Sequence, residues 1–185
     1  SSIMTPPQNT QLDLSIEKRI MTEEIAPFYR FHLFPNLIKL TLLFEDHLYP
    51  LGMFVEEGFA QLKWLKQLDI DIMSRPKVTI HIFKGLLCLP GMLDTFSLKI
   101  DFLRVEDWIL LGQFLQNQSG LKSLSILIRQ RQETRRGYLM QNQYIEETIK
   151  CLQGNNKLTQ LNLQCSFWSL ETLSKGLAHL TMKKQ

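Results

Sequence analysis

Leu65-Lys66-Gln67-Leu68-Asp69-Ile70-Asp71-Ile72 is apolar at every second residue from Leu68 onward, and its LxxLxL opening returns along the chain. The other copies begin Leu37-Ile38-Lys39-Leu40-Thr41-Leu42, Leu93-Asp94-Thr95-Phe96-Ser97-Leu98 and Leu121-Lys122-Ser123-Leu124-Ser125-Ile126, each displaced by 28 residues from the last. Counting back 28 residues reaches Asn9 and then Gln11-Leu12-Asp13-Leu14-Ser15-Ile16, where only the first leucine is replaced. The sixth copy, Leu158-Thr159-Gln160-Leu161-Asn162-Leu163, follows after 37 residues instead of 28. A period of this length means stacked supersecondary units, each too small to bury its apolar side alone.

Within each copy the alternation predicts a strand with one buried face. The inward sets are Leu12/Leu14/Ile16, Leu40/Leu42/Phe44, Leu68/Ile70/Ile72, Phe96/Leu98/Ile100, Leu124/Ile126/Ile128 and Leu161/Leu163/Cys165. Between the strands the spacing becomes helical: Trp108, Leu111 and Leu115 make one stripe, and Ile145, Ile149 and Leu152 another. Pro50 suits the first turn of a helix, and Gly120 and Gly154 stand where chains leave helices. The third unit breaks the pattern, because Pro76 is followed by Val78-Thr79-Ile80-His81-Ile82, which reads as strand.

These strands and helices resemble the leucine-rich repeats of the ribonuclease-inhibitor-like class over about residues 9–180. The resemblance implies an α/β solenoid, a horseshoe of about six parallel strands on the concave side and helices on the convex side, whose usual role is protein recognition. It further implies one domain over residues 1–185, with units starting near 9, 37, 65, 93, 121 and 158. The family commonly places Asn or Cys at the ninth repeat position. Here that position holds Glu17, Glu45, Met73, Asp101, Arg129 and Ser166, so no asparagine ladder is expected. A seventh strand would begin one residue past Gln185, which points to a piece of a larger protein or a subunit of an assembly.

Residues between the inward ones point to the other face. The middle units therefore present Gln67/Asp69/Asp71, Thr95/Ser97/Lys99 and Ser123/Ser125/Leu127 as the expected partner-binding residues. Six strands span on the order of 24 Å, enough for a peptide or one flank of a small domain. The fifth unit carries nine extra residues near 129–137, with Arg129, Arg131, Arg135 and Arg136. Arginine forks match carboxylates and phosphates, so an acidic protein is the first partner implied and nucleic acid or phosphate the alternative.

The bulk properties are consistent with this reading. A chain of 185 residues, 44% hydrophobic, buries a sizeable core, while a formal charge of +3 is too small to demand nucleic acid. Cys88, Cys151 and Cys165 lack paired spacing, which fits a reduced intracellular, cytoplasmic setting. Cys88, Cys151 and Cys165 stand at apolar helix or strand positions, where small buried packing is the default. No apolar run approaches the length of a membrane helix. The sequence has no phosphate loop, GxGxxG, HExxH or GxSxG, and His32, His47, His81 and His179 fall in different units. Asp69 and Asp71 share one side of a strand but would lie on an open sheet, solvated or facing a partner. No enzyme, cofactor, metal or small-molecule substrate is expected. Regulation of a nuclease or small GTPase follows only from the family analogy.

Overall fold

The computed structural model describes residues 11–16, 36–45, 52–73, 79–101, 103–129, 146–165 and 178; of residues 12–16, 45, 52–55, 79 and 165 it describes the backbone. The elements run β1 (Gln11–Ile16), β2 (Lys39–Glu45), α1 (Gly52–Ala60), β3 (Gln67–Met73), α2 (Thr79–Leu86), β4 (Thr95–Ile100), α3 (Val105–Asn117), β5 (Ser123–Ile128) and β6 (Gln160–Cys165). All strands pair in parallel within one sheet, in chain order.

The repeat is visible as register. Leu12 stands beside Leu40, Leu40 beside Leu68, Leu68 beside Phe96, and Phe96 beside Leu124. Every pairing joins residues one repeat apart, so all inward side chains face one side. The longer fifth unit changes nothing in this respect: Leu124 still meets Leu161. Its extra residues, including Arg131, Arg135 and Arg136, lie outside the described residues.

Alternate residues of β2 to β5 are buried, whereas Leu161 and Leu163 of β6 are partly buried. Leu40, Leu42, Phe44, Leu68, Ile72, Phe96, Leu98 and Ile100 are all inaccessible to solvent, and Leu37, Leu65, Leu93 and Leu121 continue the layer. Phe59 from α1, Phe83 from α2 and Trp108, Leu111 and Phe114 from α3 close the other side of the same core. Phe96 and Phe114 meet edge to face, with centroids 4.9 Å apart, an arrangement that ring quadrupoles favour. The stripe of Trp108, Leu111 and Leu115 is buried as expected, and so are Ile149 and Leu152 beside the helical stretch at 146–150.

One expected strand is a helix. Thr79-Ile80-His81-Ile82 falls in α2, where Ile82, Phe83 and Leu86 are buried together. A short β-branched run has no decisive period of its own. Here the need to cover Phe96 and its neighbours with a crossover selects the helix.

The N-terminal ends of the strands are joined by a recurring pair of hydrogen bonds. The carbonyl of Ile38 accepts from Lys66 N and Gln67 N, that of Lys66 from Asp94 N and Thr95 N, and that of Asp94 from Lys122 N and Ser123 N. Lys122 O does the same for Thr159 N and Gln160 N. Side-chain amides reinforce the last turns. Gln118, 3% exposed, accepts from Leu93 N at 2.7 Å and donates to Gly91 O at 3.2 Å. Asn155, its counterpart one unit later, donates to Leu121 O at 2.7 Å and accepts from Lys157 N at 2.8 Å. Equivalent positions thus serve as bridges between units, a pattern the repeat numbering could have revealed.

Gln118→Leu would leave a buried N–H and carbonyl without partners, which costs about 1–3 kcal/mol. Gln116→Leu, on the exposed side of the same helix, is expected to change stability by less than about 0.5 kcal/mol. Urea unfolding of the two variants measures the difference.

Candidate interaction surface

The outward residues of the sheet line up in three rows across the strands. Gln67, Thr95, Ser123 and Gln160 form one, and Asp69, Ser97, Ser125 and Asn162 the second. Asp71, Lys99, Leu127 and Gln164 form the third. These nine expected contact residues on β3, β4 and β5 therefore share one face, and each is half-buried or exposed while its neighbours along the strand are buried. Small hydroxyl and amide groups keep the face low and polar. Asn162 Nδ2 donates to Ser125 Oγ at 3.4 Å, and Gln67 Nε2 to Asp69 Oδ2 at 3.1 Å.

Arg129, expected at the start of the insertion, is held against the sheet. It directly follows β5, and its backbone N–H donates to Ile100 O. Its guanidinium then turns back across the ends of two strands. Nε donates to Asp101 Oδ1 at 2.7 Å, while Nη2 lies 2.7 Å from Asp71 Oδ1 and donates to Ile72 O at 3.1 Å. One side chain thereby ties β5 to β4 and β3. Asp71, expected to be solvated or to meet a partner, is an internal ion-pair member with its side chain 29% exposed. At the ninth repeat position Asp101 and Arg129 form an ionic link between neighbouring units.

The electrostatics explain why arginine suits this place. Burial disfavours the charged guanidinium, but the hydrogen bonds and charges of Asp71 and Asp101 outweigh it and hold the pKa above the ordinary arginine value. A folded-state pKa raised in this way contributes stability in full below the unfolded value. That contribution is lost only as pH rises through the elevated value, far above neutrality.

Beside this clamp the sheet has an open hollow of about 420 Å³, lined by Thr41, Leu43, Asp69, Asp71, Ser97 and Lys99. The hollow brings two carboxylates and one ammonium together, with Asp71 already paired to Arg129, a cation it shares with Asp101. The remaining expected arginines, Arg131, Arg135 and Arg136, lie outside the described residues. On the helical side a second depression, of about 290 Å³, runs between α3 and the 146–150 stretch beside Trp108, Gln113, Glu147 and Cys151.

Cys88 and Cys151 are half-buried and unbonded to one another, which departs from the full burial expected of them. Each thiol donates to the carbonyl four residues earlier, Lys84 O and Glu147 O. Burial pushes both pKa values up, with further contributions from Glu56 for Cys88 and Glu147 for Cys151. Among the described residues no group of three His, Cys, Asp or Glu side chains is placed to hold a metal, and no helix is long and apolar enough to cross a membrane.

Two outcomes follow from these charges. Arg129→Gln leaves Asp71 and Asp101 without their shared cation and costs about 2 kcal/mol of stability by urea unfolding. Arg129→Lys recovers less than half of that, because an ammonium cannot present the planar fork. Cys88 and Cys151, held as neutral thiols, should react with iodoacetamide near neutral pH more slowly than the same residues in the unfolded chain, with the rate rising only above the usual thiol range.

No family model and no curated protein matches the sequence. Among solved structures, the tropomodulin C-terminal domain of Caenorhabditis elegans superposes with a TM-score of 0.51 at 13% sequence identity, covering 94% of this chain and 83% of that one. At that identity the likeness concerns the fold: the chain has the leucine-rich-repeat-like architecture of that domain, an α/β array on a parallel sheet.

Proposed function

We propose that this chain is a non-catalytic protein-binding module, a horseshoe of the ribonuclease-inhibitor-like kind that uses the outward face of β2–β5 to hold a partner. The observation that carries this reading is the unshifted register. It gathers Gln67, Asp69, Thr95, Ser97, Lys99, Ser123, Ser125 and Leu127 onto one continuous surface with a hollow at its centre. Repeat arrays bind along such surfaces because the scaffold holds the side chains rigid, so little ordering entropy is lost on association. The tropomodulin domain is a comparable repeat-like scaffold and supports the module reading at the level of architecture. A role within a multisubunit assembly or as a scaffold in the cytoplasm accords with a face of small polar side chains.

Catalysis on this face is disfavoured chemically. Asp71 is tied to Arg129, whose single charge it shares with Asp101, and the hollow beside it is open to solvent. The nucleic-acid reading is weakened as well, since Arg129 is committed to Asp71, Asp101 and Ile72. Arg131, Arg135 and Arg136 remain as its test.

Two altered chains separate these readings in quantitative affinity capture from the native source. One carries Asp69→Lys with Lys99→Glu, and the other Arg131→Ala, Arg135→Ala and Arg136→Ala. The charge reversal on the sheet is expected to weaken a specific partner by about tenfold or more. Unchanged affinity in the first variant overturns the assignment of this face. Loss confined to the second transfers binding to the insertion.

A further inference from the structure

The strands' N-terminal ends form a rim that the strand-face reading leaves unused. Trp64, Met92 and Gly120 share one repeat position, just ahead of Leu65, Leu93 and Leu121; Ile38, Lys66, Asp94 and Lys122 share the position just after the corresponding leucine. Trp64 is 63% exposed, Met92 45% and Ile38 43%, so three of the five large exposed apolar side chains among the described residues lie along one edge, Met73 and Ile109 standing elsewhere. The turns that carry Ile38 and Met92 are both linked to Lys66 by hydrogen bonds. Ile38 O accepts from Lys66 N, and Lys66 Nζ donates to Met92 O at 3.3 Å. A Cβ on Gly91 would stand 3.1 Å from Lys63 O, and one on Gly120 would stand 3.3 Å from Met92 Cβ. Glycine at these two places lets neighbouring units close up and keeps the flank of Met92 open.

The charge around this apolar edge is mostly positive. Lys63, Lys66, Lys122 and Lys157 are exposed along it, while Asp94 is its one carboxylate among the described residues and already lies 3.9 Å from Lys122 Nζ. An exposed tryptophan flanked by lysines has the composition of an interaction hot spot facing negative charge.

We propose that this rim docks an acidic peptide segment of a partner protein, with an apolar side chain of that segment seated between Trp64 and Met92 and its carboxylates on Lys63, Lys66 and Lys122. Units spaced at about 4.8 Å make the edge from β2 to β6 on the order of 20 Å long, which an extended segment of about six residues covers. A single-stranded nucleic acid fits less well. It requires successive stacking platforms, and Met92 and Ile38 offer none beside Trp64. The rim is separate from the hollow around Asp69 and Lys99, so either surface can fail alone.

The test is selection of short random peptides displayed on phage against the folded full chain, with single-stranded oligo-dT as a competing probe. The expected peptides carry Asp or Glu around an aliphatic or aromatic residue. Their affinity falls about tenfold or more with Trp64→Ala and with Lys66→Glu, and weakens with added salt. It is unchanged by Ile109→Ala on α3 and by Lys99→Glu on the sheet. Thermal unfolding confirms that each variant remains folded, and Met92→Ser supplies a second lesion in the same edge. The proposal is overturned by selection that enriches no acidic peptide, by peptides indifferent to both Trp64→Ala and Met92→Ser, or by oligo-dT binding that depends on Trp64 and displaces them.

Discussion

Parallel pairing without any offset between units is the constraint on which the rest of the molecule depends. Strand side chains alternate with period two, so a slip of one residue between neighbouring units would turn Leu68, Ile70 and Ile72 outward and Asp69 and Asp71 into the core. Neither burial of two carboxylates nor exposure of three large apolar groups is tolerable at the scale of a small domain's stability. The register is therefore enforced by the hydrophobic pattern itself. Once it is set, the positions of the helices, the polar rows and both edges of the sheet follow.

The two ends of the sheet are secured by different chemistry. At the N-terminal ends, single carbonyls accept from two consecutive N–H groups of the next unit, and Gln118 and Asn155 add amide bridges. These bonds are local to adjacent units. At the C-terminal ends, Arg129 reaches across to Asp101 and Asp71 and so couples three strands through one planar cation. A charge in this place is tolerable because both carboxylates and a backbone carbonyl share it, and because the side chains remain partly in contact with water. The clamp also defines one wall of the hollow, since Asp71 belongs to both. Changes at Arg129 therefore act on the shape of the candidate surface as well as on stability.

The same scaffold presents two outward regions of unlike character. The middle of the strand face is polar, low and close to neutral, whereas its N-terminal rim combines Trp64, Met92 and Ile38 with lysines. Repeat geometry accounts for the difference. Positions along a strand are held by pleat and pairing beside their cross-strand neighbours. Positions in the turns ahead of each strand have open space on one side and accept a full indole.

The sequence by itself determined the repeat, the inward and outward residues of β2 to β5, and the buried stripe of α3. Each of these is a matter of period, and period is local information carried by the order of apolar residues. It also specified which polar residues would share a face, since parallel register converts equal repeat position into adjacency. What only the tertiary structure decided lies where partners come from different units or where a short segment has no period of its own. Thr79–Leu86 became a helix because the core of β3 and β4 required a cover, against the strand-like look of Thr79-Ile80-His81-Ile82. Arg129 left the insertion to bind Asp71 and Asp101, residues 58 and 28 positions earlier, because only the stacked strands bring those carboxylates within 2.7 Å of its fork. A one-dimensional pattern shows which way a side chain points along its own strand; which distant charge it then meets is settled by packing.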